Sequence, residues 1–172
     1  MSEPDQRLVD RAVLSQRSAS DPTTSVWVSA SAGTGKTKVL TDRVLSLLVA
    51  GNDPQKIICL TFTRAAAAEM ESRIAKRLGK WSTIKDQDLR IELHQLTGTH
   101  PSKHHMLRAR QLFALVLETP GGMQIETIHA FCQSLLRRFP LEASIAPHFK
   151  LMDERDTNEL LVQAREDVPA RA

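Results

Sequence analysis

The sequence predicts an α/β fold with a parallel sheet. Three observations carry that expectation. Short apolar runs rich in β-branched residues alternate with segments of helical periodicity. A glycine-rich stretch joins the first such run directly to the helix after it. The 172 residues, 41% apolar and 25% charged, have the size and composition of one ordinary globular domain.

Each element follows in order. Gln6 to Ser18 places Leu8, Val9, Val13 and Leu14 at helical spacing, then meets the breaker Asp21-Pro22. Ser25-Val-Trp-Val-Ser29 reads as a strand. Past the glycines, Leu40, Val44, Leu47 and Leu48 mark one face of a helix that Gly51 closes. Ile57 to Phe62 has no polar alternation, which predicts a second strand covered on both faces. From Ala65 a strong helix begins, with Met70, Ile74 and Leu78 on its buried stripe.

The stretch 80–121 reads differently. Asp86–Leu96 and Ser102–Leu117 have helical spacing, separated by Gly98-Thr-His-Pro101 and ended by Pro120-Gly-Gly122. These two helices interrupt the alternation and predict a helical insertion. Met123 to Thr127 restores a short strand, and a helix runs through Phe131, Leu135 and Leu136 to Pro140. The last residues give a loop and an acidic, helix-like end, so the domain is expected over 1–150 and the acidic end over 151–172. Neither an internal repeat nor a low-complexity tract is present.

Composition narrows the function classes. No apolar run approaches the roughly 20 residues that span a bilayer. The opening Met1-Ser-Glu-Pro-Asp5 is acidic and polar, unlike a secretory signal. Cys59 and Cys132 give no framework of bridges, which fits a reducing cytoplasm. Six histidines and two cysteines show no paired metal-ligand spacing. Residues 1–150 carry 20 basic and 14 acidic side chains, and residues 151–172 carry three and six. That mild basic surplus is compatible with a polyanionic partner, and equally with ordinary solvated charge.

The segment that carries chemistry is Ala30-Ser-Ala-Gly-Thr-Gly-Lys-Thr37. It matches G-x-x-x-x-G-K-[ST] except that Ala30 replaces the first glycine. The glycines Gly33 and Gly35 let the backbone curl so that N–H groups, with those of Ser31, Ala32 and Thr34, point at phosphate oxygens. Lys36 brings a cation to the β- and γ-phosphates. Thr37 offers a hydroxyl to Mg²⁺, and the next helix aims its positive dipole end at the same place. ATP with Mg²⁺ is the cofactor this pattern implies. The fold expectation sharpens to a P-loop NTPase.

A P-loop specifies a nucleotide and not an activity. Gln16 lies fourteen residues before Ala30, in a segment able to fold over an adenine ring. Thr61, Phe62, Thr63 and Arg64 stand at the carboxyl end of a predicted strand, where open α/β sheets bind ligands. Thr127 and His129 stand at another strand–helix junction. Phe62 reads equally as core or contact. His129 reads as a functional polar group ahead of a core histidine.

Taken together, these segments resemble the amino-terminal part of the first motor domain of UvrD/Rep-type superfamily-one DNA helicases. The Gln16 segment resembles their Q motif, Ala30–Thr37 motif I, Leu60–Met70 motif Ia and Thr127–Cys132 motif Ib. Within that family, Trp27–Thr37, Cys59–Met70, Glu118–Gly122, Thr127–Cys132 and Phe139–Ala143 are similar to the AddA-type helicase–nucleases. Those act with an AddB-type partner on DNA double-strand breaks. Arg64 departs from the family's more frequent Lys or Asn and keeps or adds positive charge.

The resemblance implies a RecA-like sheet with helices on both faces, an incomplete motor domain, and an ATP-dependent DNA helicase. Gln16 would read the adenine edge, and Lys36 and Thr37 would hold phosphate and Mg²⁺. Thr61, Phe62, Thr63, Arg64, Thr127 and His129 would line a single-stranded DNA track.

Hydrolysis needs an acidic pair after an apolar strand. The candidate is Asp153-Glu154 after Phe149-Lys-Leu-Met152. It reads better as an N-cap with first-turn acids, and the family's acidic motif lies downstream of this stretch. The chain alone is therefore expected to bind ATP without turning it over. A non-enzymatic nucleotide- or DNA-binding module and a small P-loop kinase are the competing readings.

Overall fold

A computed structural model describes residues 13–29, 31, 33, 35–152 and 154–167 of the chain. Helix α1 is described over residues 13–19. It is followed by α2 (Lys36–Val49), a 3₁₀ turn (Pro54–Lys56), β1 (Ile58–Thr61) and α3 (Arg64–Thr83). Then come α4 (Asp86–Thr97), α5 (Lys103–Glu118), β2 (Gln124–Thr127), α6 (Ile128–Arg138) and α7 (Glu154–Asp167). Two compact units divide between His129 and Ala130.

In the first unit, β1 and β2 form a parallel two-stranded sheet, with Ile58 opposite Gln124 and Thr61 opposite Thr127. Parallel strands cannot be joined by a tight turn. Here α3, α4 and α5 make the crossover, so they are the connection as well as the cover.

Local sequence sets the helix ends. Thr63 Oγ1 accepts the Ala66 N–H at 3.1 Å and starts α3. Ser102 Oγ accepts the His105 N–H at 3.2 Å and starts α5. Gly98 closes α4 with φ +75°, a left-handed conformation that side chains with a Cβ avoid. Arg108 of α5 donates from Nε to the Leu48 carbonyl at 2.9 Å, satisfying an acceptor in the last turn of α2.

The core lies among α2, α3, α4 and α5. Leu45, Leu48, Ile74, Leu78, Trp81, Leu89, Leu93 and Leu112 are fully buried there. Met70, Ile74 and Leu78 form the buried stripe of α3, as their spacing predicts. Trp81 is closed off by polar partners: its Nε1 donates to Glu92 at 2.7 Å, and its carbonyl accepts from Arg110 at 2.9 Å.

Three expectations change. Residues 25–29 form no strand, and Trp27 is 96% exposed. An extended run becomes a strand only against a partner ladder, and the described ladder joins β1 to β2 alone. The second strand is covered on one face and not two. Cys59 and Ile125 pack side by side against the core, whereas Ile58 and Leu60 remain about half exposed. On α2, Leu40 faces outward, and the buried stripe runs through Thr41, Val44, Leu45 and Leu48. The expected helix residues Leu8 and Val9 lie outside the described residues, as does Asp153.

The second unit holds the rest of α6 and α7. In α6, Arg137 and Arg138 occupy the last turn, where cations favour the carbonyl end of the helix dipole. Arg155 and Glu159 pair across one turn of α7 at 3.2 Å. Among the described residues, no helix is long and apolar enough to cross a membrane.

Candidate functional site

The glycine-rich loop leads into α2. Ala30, Ala32 and Thr34 lie outside the described residues; Ser31, Gly33, Gly35, Lys36 and Thr37 lie within them. Gly33 and Gly35 adopt φ +79° and +88°, which glycine alone reaches without strain. Nothing lies within 4 Å of where a Gly33 Cβ would stand. The loop therefore keeps an open face with its backbone turned as a phosphate cradle requires.

Gly35 is the N-cap of α2, and no side chain caps that helix start. Lys36 and Thr37 are its first two residues. Lys36 Nζ donates to the Ser31 carbonyl at 2.7 Å, which brings its charge back across the loop. Thr37 is half-buried, and its carbonyl accepts from Thr41 Oγ1 at 2.8 Å. A polyphosphate fits this arrangement: turned loop backbone, a helix N-terminus, one cation and one hydroxyl converge.

Gln16 of α1 reaches the same place. Its Nε2 lies 3.4 Å from where a Cβ on Gly35 would sit. Two segments nineteen residues apart are thus brought together at the head of α2. The side chain that fixes the intervening segment is Arg43 of α2, which no motif singles out. It donates to the carbonyls of Ala19 (3.3 Å), Asp21 (2.6 Å) and Thr24 (2.5 Å). A guanidinium suits such a bend, because the donors of its planar fork meet several acceptors at once. A lone arginine on a helix face gives no sequence signal of this role. Asp21 stabilises the same turn by accepting from the Thr23 N–H and hydroxyl, and these bonds hold its carboxyl below the usual carboxylate range.

The second set of predicted residues gathers at the carboxyl end of the sheet. Thr61 and Thr127 end their strands directly opposite each other. Phe62 follows, 84% exposed, so its ring is not core. Thr61 Oγ1 donates to the Thr63 carbonyl at 3.0 Å, while the Thr63 hydroxyl caps α3. Arg64 is exposed at the first position of α3, and His129 is exposed at the second position of α6. An exposed ring flanked by hydroxyls and a cation can stack a base and meet phosphate oxygens. Among the described residues, no three His, Cys, Asp or Glu side chains converge as a metal site.

Fold and loop together define a parallel α/β protein built around a glycine-rich loop at the head of a helix. The chain belongs to the UvrD/REP helicase N-terminal domain family, which matches it over residues 13–171. It is similar to the AddA-type ATP-dependent helicase/nuclease of Pediococcus pentosaceus, 32% identical over 140 residues. That match covers 81% of this chain and 10% of the relative. The same-named protein of Levilactobacillus brevis is 35% identical over 137 residues, 80% of this chain and 9% of the relative. That of Lactobacillus acidophilus is 31% identical over 153 residues, 87% and 11%. The chain spans about a tenth of the length of these relatives.

Proposed function

We propose that this chain is the ATP-binding part of a UvrD/AddA-type DNA helicase motor acting in double-strand break repair and recombination. The meeting of Gln16 with Gly35 at the head of α2 carries the reading. A phosphate cradle alone accepts any nucleoside triphosphate. A side-chain amide, able to donate and accept together, adds the means to read an adenine edge. Gln16 takes the base; Ser31, Gly33, Gly35 and Lys36, with Ala30, Ala32 and Thr34, take the phosphates; Thr37 takes Mg²⁺. Bound Mg²⁺ would neutralise phosphate charge there.

The sheet is the beginning of a RecA-like one, with α4 and α5 as a helical insertion. Thr61, Phe62, Thr63, Arg64, Thr127 and His129 form part of a single-stranded DNA track at its carboxyl end. An AddB-type protein is the expected partner, in the cytoplasm. The relatives' names support helicase chemistry; the track rests on the exposure of Phe62 and the pairing of Thr61 with Thr127.

The chain alone binds ATP and turns it over negligibly. Binding uses the loop backbone, Lys36 and Thr37. Turnover also needs carboxylates for water and Mg²⁺ and an arginine at the γ-phosphate, the last worth roughly a thousandfold or more. A phosphate-release assay with and without single-stranded DNA tests this. DNA-stimulated release that disappears in Lys36→Ala would make Asp153-Glu154 a catalytic pair; release transferred to a small acceptor would indicate a kinase.

A further inference from the structure

Much of the basic surplus of the first 150 residues lies in a cleft of about 560 Å³ between α2, α3 and α4. Its lining holds five cations, Lys38, Arg73, Lys76, Arg77 and Lys80, against the two carboxylates Asp42 and Glu92.

Depth separates the signs. Asp42 and Glu92 are only 12% and 18% exposed at the side chain, and both turn inward to Arg77. Asp42 meets Arg77 at 2.6 Å and Lys38 at 2.9 Å, while Glu92 accepts from Lys80 and from Trp81 Nε1. The Lys38, Arg73 and Lys80 side chains are 52–58% exposed. Arg73 pairs with Glu69 outside the cleft at 2.6 Å, and exposed Lys76 has no ion pair among the described residues. The carboxylates hold the cleft together from below, and the face presented to solvent is positive.

The shape of that charge selects a ligand. Arg73 to Lys80 spans about 10 Å along α3 at roughly 1.5 Å per residue. That covers about three phosphates of one strand at roughly 3.4 Å each. Trp81, the ring beside the cleft, is fully buried beneath Arg77, with the guanidinium 5.8 Å from its centroid. Among the residues lining the cleft there is no exposed ring to stack an unpaired base, in contrast to Phe62 at the sheet end.

We propose that this cleft is a second nucleic-acid contact, binding the phosphate backbone of duplex DNA without reading sequence. The inference rests on the helicase reading for its choice of polyanion, but uses none of the track residues. Contact there would place duplex against α3 while a single strand runs over the sheet end.

Fluorescence anisotropy of the 172-residue chain with a labelled 20-base-pair duplex and with the matching single strand tests the proposal. Lys76→Glu is compared with Lys103→Glu, an equal charge change on α5, and with Phe62→Ala. Thermal melts confirm that each variant folds. Lys76→Glu should weaken duplex binding on the order of fivefold and lower the slope of affinity against salt, with Lys103→Glu near wild type. Phe62→Ala should weaken single-strand binding and spare the duplex, which separates the cleft from the track. Equal losses in the two charge variants, no duplex binding by wild type, or a polyglutamate peptide competing as well as unlabelled duplex would overturn it.

Discussion

Gln16 and Gly35 are mutually limiting: a Cβ on residue 35 would stand 3.4 Å from the Gln16 amide nitrogen. The loop needs glycine there for a second reason, its φ of +88°. Gly35→Ala therefore combines backbone strain of about 1–2 kcal/mol with pressure on the Gln16 side chain. A lower melting temperature and weaker binding of an ATP analogue are expected together. Gln16→Ala should leave the fold intact and reduce the preference for ATP over GTP. Titration with both nucleotides reads that preference directly.

The network below the cleft gives a pH dependence. Burial pushes the Glu92 carboxyl up, but hydrogen bonds from Lys80 and Trp81 and the charges of Lys80 and Arg77 outweigh it. The net effect holds Glu92 below the usual glutamate range. A carboxylate with a depressed folded pKa stabilises the fold fully above its unfolded value, about 4.3, and loses that contribution as pH falls through the folded value. Melting temperatures of wild type should drop as pH falls below about 4.3. Glu92→Gln should start lower at neutral pH and show a shallower acid dependence. Parallel curves would remove Glu92 from this role.

Thiol reactivity should separate the two cysteines. Burial pushes the Cys59 thiol up, which suppresses the thiolate that reacts, whereas Cys132 is exposed. One thiol per chain should react quickly with a disulfide reagent and the second only slowly or on unfolding. Cys132→Ser should abolish the fast phase.

Single-stranded DNA binding by the chain should be weak and salt-sensitive, because few phosphates are contacted. Phe62→Ala should cost about 1–3 kcal/mol if a base stacks on that ring. Affinity unchanged in the variant would return Phe62 to an incidental exposed side chain.

What the sequence disclosed follows the range of the physics involved. Helices α4 and α5 begin and end within a residue of their predicted bounds, because periodicity and the Ser102 cap are local signals. The glycine-rich loop was legible for the same reason: each residue's chemistry is set by its place in eight consecutive positions. The strand expected at 25–29 depended on a neighbouring ladder, and a ladder is not a local property. Ile58 and Leu60 looked doubly buried because an apolar run does not say which face its helices take. The Asp42–Arg77 pair joins residues thirty-five apart, and Arg43 reaches back across more than twenty. Charged residues on helix faces read as solvated until the helices are packed.

Nucleotide binding at the head of α2 is decided by isothermal titration of the chain with a non-hydrolysable ATP analogue and Mg²⁺, beside Lys36→Ala. Lys36 heads α2 and bridges the loop to Ser31. One saturable site is expected in wild type, with loss of most of that affinity in the variant. Equal affinity in both proteins would contradict it.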